Sequence, residues 1–490
     1  MILEIVIFLI LSQLIFGLFL WYQVRDVYRY PNSFGFPVIG TLYDFYKGLS
    51  FMSLHNEYHY LKDISDRVGN GLYFAYVKGR RSVILSCPYI IEKISYNQSA
   101  AEKDPNTYGT VNPLIKGIFT YCSNDSEYKL RRKEVNNSLT KSLIDGPYAN
   151  TFKRIGRKLT EDFVKNKDNL DLVYYCTNSA LSIIKETHFG VENAEKNEDG
   201  RFFKVWIWIL HFATLIFSNP LVAILFTFTY KIFDKVLMKK AHMLQAELGK
   251  SVKKHVRNTL KDPTAAPKYS TLSVVISLRN KSRNLDKFET KKELYELLLA
   301  GSHTAGTVLI TSFAFMATLP EIQEKVWKEQ YEIFGTSDRD PNIEDLKKMT
   351  YLERFIKEIL RFFSPAFIGK VTTAEIKVGG VTIPAETVVY FLLGKAHMDP
   401  RFWKDPQVFN PDRAFEDQPK YAFAAFGVGV RSCPGMTYAR QELKTIISII
   451  IRKCKFFSQQ KFEDFKYESH LMQEIVNLKP VRVEEREYLN

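Results

Sequence analysis

The stretch FGVGVRSCPG, residues 426–435, places a cysteine inside a turn that is rich in glycine. Cys433 stands just before a segment with helical periodicity, which begins at Met436 or Thr437. Backbone N–H groups and the helix dipole favour negative charge at a helix N-terminus, so we expect this thiol to be driven toward thiolate. A thiolate is a good ligand for soft or borderline metals, and the glycines let backbone approach a flat group closely.

The other cysteines give no sign of a disulfide framework or a structural zinc site. The 490 residues include five cysteines, an odd number, and no pair has Cys-x-x-Cys spacing. Reduced thiols that face the cytosol are the simpler interpretation. The formal net charge of +14 suits an anionic membrane surface or an acidic protein. Nucleic acid is not expected as a partner, because the basic residues are interspersed with acids and no nucleic-acid motif occurs.

The N-terminus predicts a membrane anchor. Residues 5–22 form an apolar run of about the length that spans a bilayer, and Trp21 and Tyr22 end it as interfacial aromatics do. A cleaved signal peptide is the alternative, but the run lacks a basic leader and a small-residue cleavage site. We therefore expect an anchor at 1–24, a Pro/Gly hinge at 25–40 and a catalytic domain at 41–490. Basic residues after the run place that domain in the cytosol, at an endoplasmic-reticulum-like membrane if the host is eukaryotic.

A second apolar stretch, residues 202–233, contains Pro220 after a serine and an asparagine. These residues and the flanking charges argue against one straight membrane span. A helical hairpin that faces the membrane is the favoured interpretation, and a buried core hairpin is the alternative.

The rest of the chain predicts a mainly α fold with small β-sheets. Residues 71–88 alternate and indicate a hairpin around Lys78 and Gly79, whereas residues 127–329 have mostly helical periodicity. Short strands with a turn at Gly379 and Gly380 are expected over 370–393, followed by a helix over 437–453.

The cysteine stretch resembles the haem loop of the cytochrome P-450 superfamily, which reads Phe-x-x-Gly-x-Arg-x-Cys-x-Gly. All the fixed positions of that pattern are matched. The resemblance implies a single large haem domain in which Cys433 is the axial ligand of the iron in haem b. It also implies that Phe426 and Gly427 line the haem and that Arg431 reaches a haem carboxylate.

Two further motifs match the superfamily in order and spacing. Glu358 and Arg361 in YLERFIKEILRFF fit its Glu-x-x-Arg helix, and FNPDRAF at 409–415 supplies a second arginine, Arg413. Residues three apart on a helix are neighbours, although such a pair alone is often only solvated. A buried Glu358 held between the two arginines would support the haem loop.

The apolar helix expected over 296–315 resembles the superfamily helix that crosses the distal haem face. Its small residues include Ala300 and Gly301, and Thr304 matches the threonine that organises protons near oxygen. The usual acid is replaced by His303, as in the sterol 14α-demethylase branch. This histidine relays protons near neutral pH, or alternatively points away and pairs with a carboxylate.

Residues 112–133 resemble the same sterol branch in part. Pro113, Tyr121 and Arg132 agree with it, whereas Cys122 replaces its aspartate. By position, Tyr128, Arg132 and Lys370 stand where the superfamily binds haem propionates, although a solvated basic face is the alternative. Eight apolar or aromatic residues are expected by position to line the substrate pocket: Ile118, Phe119, Tyr121, Ala300, Phe367, Ile368, Leu471 and Met472.

The resemblance implies a monooxygenase that uses O2 to hydroxylate or demethylate a lipophilic substrate, with a sterol as one candidate. Electrons have to come from outside, because the chain has no dinucleotide or iron–sulfur motif. The resemblance implies that an NADPH-dependent flavoprotein reductase, or another redox partner, supplies them. Five basic residues are expected to form its docking face: Lys129, Arg131, Lys133, Lys141 and Lys444. A haem-thiolate isomerase or dehydratase and a non-catalytic membrane haem protein are the alternatives, and Thr304 argues against the isomerase.

Overall fold

Helices make up most of the structure, which confirms the mainly helical fold with small β-sheets. The computed structural model describes residues 2–25, 61–63, 65–66, 71–77, 80–100, 102–104, 123–191, 270, 287–363, 368–469 and 472–486. The apolar stretch 202–233, the Lys78–Gly79 turn and all but the first residue of the predicted hinge lie outside them. In chain order the helices are α1 (Ile2–Val24), α2 (Pro88–Ser95), α3 (Ser126–Asn137), α4 (Lys141–Leu143), α5 (Ala149–Lys165), α6 (Leu172–Phe189), α7 (Lys287–Thr318), α8 (Pro320–Phe334), α9 (Ile343–Lys348), α10 (Thr350–Phe362), α11 (Leu393–His397) and α12 (Met436–Lys453).

The strands form small sheets that join distant parts of the chain. They are β1 (Leu72–Val77), β2 (Arg80–Leu85), β3 (Glu102–Lys103), β4 (Ile368–Val371), β5 (Ile376–Val378), β6 (Val381–Ile383), β7 (Val388–Phe391), β8 (Cys454–Phe457), β9 (Tyr467–Ser469), β10 (Gln473–Ile475) and β11 (Arg482–Glu485). The largest sheet has the order β1-β2-β7-β4-β3. Within it β2 and β7 are parallel, and the other pairs are antiparallel.

Both predicted hairpins are present. Strands β1 and β2 pair from Leu72 with Leu85 to Val77 with Arg80. Strands β5 and β6 are joined by Gly379 and Gly380, whose φ angles of +57° and +78° fall in the left-handed region that glycine adopts without strain. A turn with two such residues matches the twist of the strands and keeps the hairpin tight.

Helix α7 runs through the main core and positions the site. Its segment Glu296–Thr318 is the one described helical segment that is long and apolar enough to cross a membrane, and 78% of its most apolar window is buried inside the protein. Phe313 is an example of this burial. Its ring packs edge-on against that of Phe163 with centroids 5.4 Å apart, and its centroid lies 5.0 Å from that of Phe456. The apolar surface of α7 is therefore covered by protein.

Helix α1 has the opposite character. It contains 23 residues, and most of its described large apolar side chains are exposed, with Phe8 at 70% and Ile15 at 67%. A helix of this length is about 34 Å long, slightly more than the roughly 30 Å of bilayer hydrocarbon. The assignment of residues 1–24 as an anchor stays a prediction, as do the domain limits.

Candidate functional site

The cysteine loop brings Cys433 to the N-terminus of α12. The Cys433 amide donates a 2.7 Å hydrogen bond to the carbonyl of Phe426, which closes the loop. Gly427 and Gly429 have φ angles of +79° and +65°, which glycine adopts without strain. The cysteine side chain remains exposed at the start of the helix.

The electrostatics of Cys433 differ from the sequence-based expectation. Surrounding protein atoms exclude water and raise the pKa of the thiol above its ordinary value, even though part of the residue is exposed. The Gly435 amide and the positive charge of Arg132 lower that pKa, but by less. The expectation that the helix N-terminus drives the free thiol toward thiolate is therefore wrong, because desolvation outweighs it. A coordinating metal ion deprotonates such a thiol outright.

Gly429 allows the loop to lie directly against α2. A Cβ atom at this position would fall 2.0 Å from the backbone oxygen of Ser95, at the end of that helix. Nothing in the sequence pointed to Ser95, because the contact joins segments more than 300 residues apart. The backbone of α2 thus forms one wall of the loop.

Glu358 lies between the two predicted arginines. On α10, Arg361 donates two 2.8 Å hydrogen bonds to the carboxylate, one to each oxygen. Arg413 adds a 3.0 Å bond, and the Asn410 amide adds one of 2.9 Å. Glu358 and Arg361 are completely buried, so this group is a desolvated ion cluster with its hydrogen bonds made.

The arginines of this cluster also tie down the chain that precedes the cysteine loop. Arg361 donates to the carbonyl of Pro406 at 2.9 Å, and Arg413 donates to that of Val408 at 2.6 Å. Lys404 and Asp405 also supply carbonyl acceptors for Arg413. The sequence motif indicated the side chains but not these carbonyl partners.

Helix α7 presents a short half-buried strip in an otherwise buried segment. Between residues 296 and 309, Ala300, Gly301 and Thr304 are the half-buried positions. The Thr304 hydroxyl donates a 2.7 Å hydrogen bond to the Ala300 carbonyl and keeps its acceptor lone pairs. A Cβ atom at Gly301 would lie 2.5 Å from Cδ1 of Ile184, so this glycine lets α7 approach α6 closely. Ala300 and Thr304 are therefore the positions of the strip that can face a ligand.

His303 points away from that strip. Its side chain is 2% exposed, and its Nε2 lies 3.0 Å from Oε1 of Glu474 on β10. Of the two orientations left open by the sequence, the structure shows the pairing with a carboxylate. Glu474 was not among the predicted residues, because nothing in its local sequence marks it as a partner of His303.

Arg431 and Tyr128 contact each other at the edge of the cysteine loop. The Arg431 guanidinium lies 3.4 Å above the Tyr128 ring and donates a 2.5 Å hydrogen bond to the Ser123 carbonyl. The Tyr128 hydroxyl lies 3.5 Å from the Val430 carbonyl. The guanidinium is therefore positioned by α3 and the residue stretch that leads into it.

Lys370 is a fully buried cation on β4. Its Nζ has no hydrogen-bond acceptor among the described residues. Burial, together with the weaker effect of the Lys103 and Arg431 charges, lowers the pKa of this ammonium to about 7. A buried ammonium that has no acceptor among the described residues indicates a site for an anionic group.

The predicted substrate-pocket residues are only partly visible. Ile118, Phe119, Tyr121, Phe367 and Leu471 lie outside the described residues. Ile368 is half-buried and its Cδ1 would lie 3.3 Å from a Cβ at Gly427, so it borders the cysteine loop. Met472 is buried in the main core.

The donor set fits a haem. An exposed thiol at a helix N-terminus suits the iron, and a buried ammonium near Arg431 suits a carboxylate of the macrocycle. Together with the clamped glycine loop, these features define a haem-thiolate protein.

Comparisons with known proteins agree with this class. A family model described as Cytochrome P450 matches residues 31–481. Cytochrome P450 4c21 of Blattella germanica is 26% identical over 98% of this chain and 99% of its own length. Cytochrome P450 4V2 of Homo sapiens is 28% identical over 63% of this chain and 62% of its own length. The crystal structure of a cytochrome P450DA mutant heme domain has the same fold, with a TM-score of 0.75 at 16% identity over 88% of this chain and 94% of that one.

The chain belongs to the cytochrome P450 family, because the family match spans nearly all of it. It is accordingly a monooxygenase that uses haem b, O2 and electrons from an external NADPH-dependent redox partner. These findings confirm the predicted superfamily, enzyme class and cofactor.

The contact between Gly429 and Ser95 leads to a first prediction. Gly429→Ala combines the left-handed backbone with a clash against a backbone oxygen, so the loop has to shift. Gly380→Ala is the matched control, since it has φ +78° and nothing within 4 Å, and costs only about 1–2 kcal/mol of backbone strain. We expect Gly429→Ala to purify with far less haem and a smaller thiolate-type carbon monoxide band than the control. Equal haem content and equal spectra in the two variants would show that the contact is unimportant.

Proposed function

We propose that this enzyme oxidises a lipophilic small molecule beside the half-buried strip of α7, with Cys433 as the iron ligand. The single observation that supports this most is the strip itself, Ala300, Gly301 and Thr304, in a segment whose other residues are buried. The small side chain of Ala300 is partly exposed there and Thr304 supplies a hydroxyl, whereas Gly301 packs against Ile184 of α6. The apolar character of Ala300 and Ile368 favours a guest that is bound by loss of water contact.

The haem supplies oxygen activation when it is bound, and the chain's own residues hold it and manage protons. Cys433 binds the iron through sulfur, while Lys370 and Arg132 would hold the propionates by charge. The Thr304 hydroxyl, anchored on the Ala300 carbonyl, accepts a hydrogen bond from water in the strip and so orders a proton donor.

A sterol is a narrower candidate within the lipophilic class. It is supported by the histidine at position 303 and by the partial match over residues 112–133. The orientation of His303 toward Glu474 separates this histidine from the strip, which weakens the support from a proton relay. None of the relatives named above is described as a sterol enzyme.

The redox partner is proposed to dock on the exposed basic face of α3 and α4. Lys129, Lys133 and Lys141 are exposed and suit an acidic partner. The earlier expectation also included Arg131 and Lys444, and this is corrected by the structure. Arg131 is 4% exposed and is paired with Glu127 at 2.8 Å. Lys444 is largely buried and contacts Glu353 at 3.3 Å.

Lys370 leads to a prediction about haem retention. We expect Lys370→Met to release haem to excess apomyoglobin about 10- to 100-fold faster than wild type, since a hydrogen bond to a charged group is worth about 1.5–3 kcal/mol. Lys370→Arg is the control and keeps the charge.

The pH dependence of haem release tests the same ion pair. The protein lowers the pKa of Lys370 to about 7, and a bound carboxylate raises it again. Raising the pH neutralises this ammonium, so wild-type release should accelerate toward alkaline pH, whereas Lys370→Arg should stay flat. Similar release rates for the methionine and arginine variants would contradict the ion pair.

The docking face is tested by charge reversal. Lys129→Glu with Lys133→Glu should slow reduction by the flavoprotein partner about tenfold at low ionic strength and approach wild type in high salt. Lys325→Glu with Lys328→Glu makes the same charge change on the exposed face of α8 and should have little effect. Equal slowing by both pairs would indicate a general effect of net charge.

The proposed function is tested in two steps. Optical binding spectra of the purified holoenzyme with sterols, fatty acids and terpenes identify the substrate class. With a substrate found in this way, Thr304→Ala should lower product formed per NADPH about tenfold, less than the 10²–10⁴-fold typical of a lost general acid, because water partly replaces the hydroxyl. Thr311→Ala, which removes a buried threonine of the same helix, should leave coupling unchanged. A Thr304→Ala enzyme with wild-type coupling would refute the role of the hydroxyl.

A further inference from the structure

His397, at the end of α11, connects the arginine cluster to the cysteine loop. Its side chain is completely buried. The amide of Ala424 lies 2.7 Å from its Nε2, and its Nδ1 lies 3.2 Å from the backbone oxygen of Arg361. The ring also stacks on Phe423, with centroids 5.4 Å apart and planes inclined by 23°. A single side chain therefore contacts the backbone of two structural parts of the site.

These contacts determine the protonation state of the imidazole. A backbone N–H can only donate, so Nε2 is the unprotonated acceptor of the Ala424 bond. Nδ1 then carries the proton and donates it to the Arg361 carbonyl. Burial is the main cause that lowers the pKa of His397 to about 3, whereas the hydrogen bond to the Arg361 backbone raises this pKa and the Arg361 charge lowers it. The ring is therefore neutral near pH 7. His397 thus has one donor and one acceptor, and both are used.

Hydrogen bonds continue from His397 in both directions. The Arg361 guanidinium donates to the His397 carbonyl at 2.8 Å and to Glu358 at the same distance. On the other side, the Gly427 amide donates to the Ala424 carbonyl at 2.9 Å, within the loop that Cys433 closes. The arginine cluster and the thiol are therefore linked through this imidazole.

We propose that His397 is a positioning residue for Cys433. Its imidazole holds Ala424 at a fixed place relative to Arg361 and so sets the position from which the loop presents the thiol. The inference rests on the proposed role of Cys433 as the iron ligand.

The experiment compares variants of the full-length holoprotein by the ferrous carbon monoxide spectrum, as the ratio of thiolate-bound to neutral-cysteine species. His397→Leu keeps apolar bulk but leaves the Ala424 amide buried without its acceptor, and it should lower this ratio about five- to thirtyfold. His397→Gln offers an acceptor and a donor, and it should recover most of the ratio.

His188→Leu is the matched control. His188 on α6 is another buried histidine with a lowered pKa, about 4, and its ring stacks on Tyr148 and lies edge-on to Tyr438 instead of contacting the cysteine loop. Its loss should lower the free energy of unfolding without changing the spectral ratio. An equal drop for His188→Leu and His397→Leu, or no rescue by His397→Gln, overturns the positioning role.

Hydrogen exchange keeps the proposal testable if His397→Leu does not accumulate. In the wild-type holoprotein the Ala424 amide should exchange as slowly as core helix amides, and in His397→Gln it should stay protected. Exchange as fast as in an exposed loop overturns the proposal. Cys433→Ser distinguishes the role of Cys433 as iron ligand from the positioning role of His397. A thiolate band that survives in the Cys433→Ser variant refutes Cys433 as the ligand, whatever the His397 variants show.

Discussion

The carboxylate of Glu358, buried between two arginines, is the interaction on which the rest of the site depends. Taking three charged groups out of water is costly, and the cost is offset here only because both carboxylate oxygens and most guanidinium N–H groups find partners. Removing one member leaves a buried charge unpaired, at about 3–5 kcal/mol. The cluster therefore makes the chain around Pro406 and Val408 a rigid frame, and α10 and the cysteine loop are built against it.

Within that frame, the pKa values of two ionisable groups are shifted in the directions that disfavour their charged forms. Burial raises the pKa of the Cys433 thiol and lowers that of the Lys370 ammonium. A haem carries both complements, a metal cation for the sulfur and carboxylates for the ammonium. In the proposed binding mode haem would restore both charges, so by linkage haem affinity and the ionisation of these residues would depend on each other. The fold fixes the positions of these two side chains, and a bound haem would balance their charges.

Much of the fold and site could be predicted because it is encoded locally. Helix α7, the two hairpins and the Glu358–Arg361 pair each follow from the spacing of neighbouring residues. The close approach of Gly429 to Ser95 and the parallel pairing of β2 with β7 join segments about 300 residues apart, so no local pattern signals them. The prediction of a lowered pKa for Cys433 was wrong for the same reason, since desolvation depends on the whole surrounding structure.

His303 stands where the family usually has an acid. In this structure its side chain helps to attach α7 to β10 and does not face the half-buried strip. The imidazole pairs with Glu474 on β10 and connects the helix to the C-terminal hairpin. In the segment 296–309 the half-buried residues are Ala300, Gly301 and Thr304, so Thr304 carries the side-chain hydroxyl of the strip. Under the proposed function, a proton delivered there would move through water that this hydroxyl orders, because an imidazole bound to Glu474 is turned away. We infer that the helix gains its attachment from position 303 and its proton chemistry from position 304.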